Sequence, residues 1–133
     1  MVRESCNDLP MTAIGVDIIE IERIDQSIRR FGPRFLRRVY TGQELAYCQG
    51  RVASLAARWA AKEAVSKALG VGIGDVSWQE IEVVSDANQC PTIQLHGAAA
   101  KLAQQQEISG FAVSLSHAKD YAVAFVIAQK SFS

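Results

Sequence analysis

The apolar residues of this chain gather into β-like runs toward its two ends and into helical spacings between them. Thr12-Ala13-Ile14-Gly15-Val16-Asp17-Ile18-Ile19 opens as a β-rich segment and then meets acids. From Glu20 to Phe31, Ile21, Ile24 and Ile28 recur at spacings of three and four, which predicts an amphipathic helix stopped by Gly32-Pro33. Phe35, Leu36 and Val39 predict a second short helical piece. Thr41-Gly42-Gln43-Glu44 is a capping-box pattern, with Thr41 as N-cap, and starts a further helix through Tyr47. A long helix follows from about Ser54 to Leu69, with Gly70 as its left-handed C-cap.

The second half changes character. Ile81 to Val84 reads as a strand, Ser85 to Gln89 as a turn and Thr92 to Leu95 as the paired strand. Ala98 to Gln105 is a further helix of small residues. Phe111 to Leu115 and Tyr121 to Ala128 predict a hairpin joined through Ser116-His117-Ala118-Lys119-Asp120. These elements predict an α+β domain, a mainly antiparallel sheet packed against the long helix, spanning residues 11–133 behind an extension at 1–10.

Composition narrows the class. A chain of 133 residues, 49% hydrophobic and 21% charged, fits one soluble globular domain. Its formal net charge of zero argues against nucleic acid as a bulk electrostatic partner. No apolar run approaches the ~18–20 residues of a membrane span. Met1 to Pro10 carries Glu4 and Asp8, unlike a secretory signal. Cys6, Cys48 and Cys90 lack any metal-binding spacing and read as reduced thiols of a cytoplasmic protein.

The candidate chemistry centres on Arg58-Trp59-Ala60-Ala61-Lys62-Glu63-Ala64-Val65-Ser66-Lys67-Ala68-Leu69-Gly70. Lys62 and Glu63 sit side by side in an Ala-rich helix, and neighbours there point about 100° apart. They cannot share one face. Glu63 to Lys67 is also the favourable spacing for an ordinary helix ion pair. Asp17, at the end of a strand, serves equally well as a helix cap or as a carboxylate projecting into a cleft. An Asp and a Glu suffice for magnesium when a substrate brings phosphate oxygens. His117 is a turn histidine beside two serines and Lys119, able to meet a phosphate or simply to face water. Gly70-Val71-Gly72-Ile73-Gly74 lacks the Lys-Ser/Thr of a Walker loop, and a turn after the helix is its simplest reading. Arg23, Arg29, Arg30, Arg34, Arg37 and Arg38 alternate with Phe31, Phe35, Leu36 and Val39, a basic surface on an apolar anchor that suits an acidic partner.

Three blocks resemble the holo-acyl-carrier-protein synthases, the short-chain branch of the phosphopantetheinyl transferases. They are Ile14 to Ile24, Arg58 to Gly70, and Ser114-Leu115-Ser116-His117 followed by Asp120 to Ala124. The resemblance covers Met11 to Ala128; Ala118 departs from the polar or acidic residue common after that histidine. It implies a phosphopantetheinyl-transferase-like fold, with Asp17 and Glu63 as ligands of magnesium. Lys62 would lie at the phosphates of coenzyme A and stabilise or protonate the leaving phosphate, and Glu63 would accept the serine proton. Ser66, Lys67, Gly70, Gly72 and His117 would be further coenzyme contacts. The implied reaction moves the phosphopantetheine arm to a serine of an acidic acyl carrier protein, docked on Arg23, Arg29, Arg30, Arg34 and Arg37. A homotrimer is implied, with each coenzyme across a subunit boundary. The competing expectation is a non-catalytic adaptor that binds an acidic partner through the arginines.

Overall fold

The computed structural model describes residues 12–131, so the expected extension at 1–10 and Cys6 lie outside the described residues. The chain runs β1 (Thr12–Glu20), α1 (Ile21–Phe31), α2 (Pro33–Val39), α3 (Gly42–Cys48) and α4 (Val52–Ala68). After a 3-10 turn at Trp78–Glu80 come β2 (Ile81–Ser85), β3 (Pro91–Leu95), α5 (Gly97–Gln105), β4 (Ile108–His117) and β5 (Tyr121–Lys130). Strand order β1-β5-β4 makes an antiparallel three-stranded sheet, and β2-β3 make a separate antiparallel ribbon. The expected α+β architecture is the one observed.

Helix α4 is the axis of the molecule. Eleven of its seventeen residues are buried, so neighbours cover most of its circumference. Toward the sheet it presents small residues, and β5 answers with Ala122, Ala124, Val126 and Ala128, all buried. Small residues on both sides let backbone approach backbone. The closest approach is at Gly15 in β1, where a Cβ would lie 1.9 Å from the carbonyl oxygen of Ala64 and 3.1 Å from the amide of Ala68. Only glycine permits that crossing.

Strand β1 alternates strictly: Ala13, Gly15, Asp17 and Ile19 face α4, while Ile14, Val16, Ile18 and Glu20 face outward. The outward residues pair across β5 with Ile127, Phe125, Val123 and Tyr121. This outer face is apolar yet uncovered in the single chain, with Ile18 62% and Phe125 47% exposed.

The capping box foreseen at Thr41 forms in full. The amide of Glu44 donates to Thr41 Oγ1 at 3.2 Å, and the Thr41 amide donates to Glu44 Oε1 at 2.8 Å. Three expectations change. Asp17 lies within β1 and not at its end, because pairing with β5 continues through Glu20. Ser116 and His117 belong to β4, paired with Val123 and Ala122, because strand pairing continues to the hairpin's last possible residues. The turn at Trp78–Glu80 was not foreseen; Ser77 and Glu80 cap it reciprocally, a second capping box that leads into the strand Ile81–Ser85 and not into a helix.

Candidate active site

The side chains of Asp17, Glu63 and Lys67 converge beside the Gly15 crossing. Alternation in β1 turns Asp17 inward, one residue pair beyond the glycine that draws β1 against α4. Glu63 and Lys67, four apart, share the helix face that meets it. Lys67 Nζ lies 3.0 Å from Asp17 Oδ1 and donates to the Val16 carbonyl at 2.8 Å. Val16, Asp17, Ile18, Ile19, Arg23, Trp59 and Lys67 line a cavity of about 490 Å³ here.

Electrostatics mark the two carboxylates as neighbours. Burial raises the pKa of Asp17, opposed by the Lys67 ammonium. Burial also raises that of Glu63; the charge of Asp17 adds to the rise and Lys67 opposes it. The Oδ2 atom of Asp17 is buried without a hydrogen-bond partner, an acceptor left with nothing to accept. Two hard oxygen donors, one of them orphaned, fit magnesium. Among the described residues no group of three His, Cys, Asp or Glu could hold a metal, so substrate oxygens or water would have to complete its shell.

Lys62 and Ser66 are not part of this arrangement. Lys62 is fully buried, and its ammonium points the other way, to Glu44 Oε1 at 2.8 Å, the Ile81 carbonyl at 2.6 Å and the Trp78 carbonyl at 3.0 Å. Three donors meet three acceptors, and none is left for a phosphate. The expectation that Lys62 lies at the coenzyme phosphates is therefore corrected; the 100° step between neighbours sends Lys62 inward as it sends Glu63 into the cleft. Ser66 is buried and its hydroxyl donates to the Glu63 carbonyl at 2.7 Å, so its expected coenzyme contact is corrected too. In the turn after α4, the amide of Gly70 donates to the Lys67 carbonyl at 3.0 Å and that of Gly72 to Asp75 Oδ2 at 3.3 Å. Both bonds belong to a turn that follows the helix, the simplest reading of this loop.

His117 lies elsewhere. It lines a second cavity, of about 330 Å³, with Tyr47, Ser54, Arg58, Ser114 and Ser116 among its walls. Since β1 and β4 are opposite edges of the sheet, one chain does not bring His117 and Asp17 into a shared pocket. Arg58 is the residue that sequence reasoning passed over. Its guanidinium sits 4.4 Å from the centre of the Tyr47 ring and makes two long bonds of 3.3 Å, to Ser54 O and Ser85 Oγ. Its Nε is buried and unpartnered. The available signal was an arginine in an otherwise apolar helix turn. Its guanidinium gives this cavity positive character.

The arginines form the expected surface. Arg23 reaches the rim of the Asp17 cavity, Arg29 pairs with Asp25 at 2.9 Å, and Arg30 lies over the Phe31 ring at 5.2 Å. Arg34, Arg37 and Arg38 are exposed on α2.

A family model described as the 4'-phosphopantetheinyl transferase superfamily matches residues 13–126. Two holo-[acyl-carrier-protein] synthases are close in sequence. That of Herpetosiphon aurantiacus is 50% identical over 124 residues, covering 88% of this chain and 98% of the relative. That of Moorella thermoacetica is 49% identical over 126 residues, covering 92% and 98%. Among solved structures, the Helicobacter pylori holo-[acyl-carrier-protein] synthase in complex with coenzyme A superposes with a TM-score of 0.80 at 33% identity, covering 87% of this chain and 99% of that one. The ADP-bound acyl carrier protein synthase of Plasmodium yoelii gives a TM-score of 0.84 at 27% identity, covering 92% and 97%.

Proposed function

The chain belongs to the 4'-phosphopantetheinyl transferase superfamily, among the holo-[acyl-carrier-protein] synthases, and on that premise we propose how its residues share the reaction. It transfers the 4'-phosphopantetheine arm of coenzyme A to a serine of apo acyl carrier protein, releasing adenosine 3',5'-bisphosphate. The adaptor reading falls away, and the arginine surface becomes part of an enzyme.

The orphaned Asp17 oxygen beside Glu63 carries the assignment of the reacting centre. Asp17 and Glu63 hold magnesium, which when bound supplies counter-charge to the coenzyme's pyrophosphate. Lys67 takes the part first expected of Lys62. Its ammonium already stands in the cavity, 3.0 Å from Asp17, and offers hydrogen bonds to the departing phosphate. Glu63 accepts the serine proton, directly or through a water. Arg58 and His117 hold the nucleotide end from the second cavity. Most of the acceleration is positioning and charge stabilisation, as phosphoryl transfer requires.

The acidic carrier protein docks on Arg23, Arg29, Arg30, Arg34 and Arg37. Arg23 belongs both to that surface and to the Asp17 cavity, so docking along α1 and α2 leads the serine toward Glu63. The setting is cytoplasmic in this reading; Cys48 and Cys90 are unpaired, and no helix of the described residues is long and apolar enough to cross a membrane. The direct test is the intact mass of an apo carrier protein incubated with coenzyme A and magnesium. It gains one phosphopantetheine arm, and chelation abolishes the gain. Full modification in chelator would overturn the metal assignment.

A homotrimer, with its site shared between copies, is supported by the apolar outer sheet face. Val16 and Ile18 on β1 border the Asp17 cavity, and Ser114 and Ser116 on β4 border the His117 cavity. All four side chains belong to the outer face, so a second copy seated there reaches both cavities at once. Phe125→Asp, in the centre of that face, is expected to give monomers in light scattering and to lose most transfer. A fully active monomer contradicts the arrangement.

A further inference from the structure

The buried pair Glu44–Lys62 does nothing in the reaction as derived so far. Its construction is nonetheless elaborate for a core ion pair. Glu44 Oε1 accepts from Lys62 at 2.8 Å and from the Thr41 amide at 2.8 Å, while Oε2 accepts from the Val83 amide at 2.8 Å. The ammonium closes the network onto the carbonyls of Ile81 and Trp78. Trp78 in turn lies against Trp59 of α4, with ring centres 5.2 Å apart. Through this single cluster α3, α4, β2 and the Trp78–Glu80 turn are tied together, and Lys62 is the residue immediately before Glu63.

We propose that the Glu44–Lys62 pair is a positioning clamp that fixes the rotation of α4 about its own axis, so that Glu63 and Lys67 face Asp17. Two fastenings act on opposite sides of the helix. On one side the Gly15 crossing holds α4 at its distance from β1. On the other, Lys62 is held at its tip by three acceptors that belong to three other elements and therefore do not turn with the helix. A rotation of α4 would break those bonds together. Because consecutive residues differ by about 100°, anchoring Lys62 inward sets the direction of Glu63, and Lys67 follows one turn later on the same face. Glu44 and Lys62 are thus positioning residues, with no contact to substrate.

This inference rests on the assignment of Asp17 and Glu63 as the metal-binding pair, and the experiment separates the two claims. Lys62→Met and Glu44→Gln each leave one buried charge unpaired; the double variant Glu44→Gln/Lys62→Met leaves none. Each protein is followed by thermal unfolding, by calorimetric binding of coenzyme A with magnesium, and by transfer kinetics. Each folded single variant is expected to bind magnesium–coenzyme A and to transfer about 10–100-fold more weakly, the range seen when supports of metal ligands are removed. The double variant removes the unpaired charge but still lacks the bonds to the Ile81 and Trp78 carbonyls, so its binding and kcat stay reduced together, and full recovery of both would overturn the clamp. A double variant that binds normally but transfers no better than Lys62→Met would overturn the clamp and give the ammonium a chemical part. Folded single variants with unchanged binding and kcat would also overturn it, leaving the pair a stability element only. Should a single variant not fold, the double decides by the same criteria against wild type. Asp17→Asn, run alongside, reports on the metal assignment: if it retains wild-type magnesium dependence, that reading fails whatever the clamp variants do.

Discussion

Glu63→Gln is expected to lower phosphopantetheinyl transfer by about 10²–10⁴-fold, the usual cost of losing a general base, without lowering the melting temperature of the metal-free protein. The two halves of that result come from the same physics. Burial and the neighbouring charge of Asp17 raise the Glu63 pKa, so the folded chain holds the ionised form less favourably than the unfolded chain does. An acid of raised pKa binds more protons folded than unfolded between its ordinary value and its folded one. Stability therefore falls as pH rises through that window and stays reduced above it. Glutamine carries no charge to penalise, so the variant matches or exceeds wild type in metal-free melting at neutral pH. As pH is lowered through the carboxylate range wild type should regain the difference, while the variant gains only the share that the raised pKa of Asp17 contributes to both proteins. Thermal unfolding across pH, paired with the mass assay at neutral pH, checks both. A glutamine variant that transfers like wild type removes Glu63 from the chemistry.

Gly15→Ala carries the second large effect. Its methyl group would sit 1.9 Å from the Ala64 carbonyl oxygen and 2.8 Å from the carbonyl carbon, both backbone atoms of a buried helix. No flexible side chain can move aside. Relief requires α4 to shift from β1, and overpacking of this kind costs about 1–3 kcal/mol, occasionally more. For a domain of this size that corresponds to a melting temperature lower by several degrees, at ~2–8 °C per kcal/mol. The functional loss should exceed the loss of stability, since the displacement separates Asp17 from Glu63 and Lys67. Small misplacements of reacting groups can cost about 100-fold. Unfolding curves and transfer measured well below the variant's melting point distinguish the two losses. A folded Gly15→Ala protein with wild-type rates would show that the close crossing does not set the site.

What the sequence disclosed follows from how local each feature is. The type and order of the main elements were readable because apolar spacing and capping residues act within one or two turns, and Thr41 and Glu44 predicted each other's bonds; strand limits were not, since pairing carried β1 to Glu20 and β4 to His117. Asp17 and Glu63 were identified together from motif and chemistry, and their convergence needed only the β1 alternation and the helix pitch. Lys62 was misread for a non-local reason. Its partners, Glu44, Trp78 and Ile81, lie on three segments whose arrangement about α4 no window of sequence encodes. Ser66 fell to the same blindness: a serine in a helix can bond its own backbone, and whether it does depends on what covers it. The direction of His117 depends on which strand pairs with which. The order β1-β5-β4, a tertiary fact, places it across the sheet from Asp17.

Steric demand shapes the Arg58–Gly70 block at least as much as catalysis does. The alanines at 60, 61, 64 and 68 are each no more than 2% exposed, pressed between sheet and neighbouring helices. A library of this helix selected only for soluble expression, with no coenzyme or carrier offered, would still return small residues at those four places. Positions 63 and 67 would be released to drift. A motif search therefore detects the architecture first, and a descendant that had abandoned the chemistry would keep much of the signature.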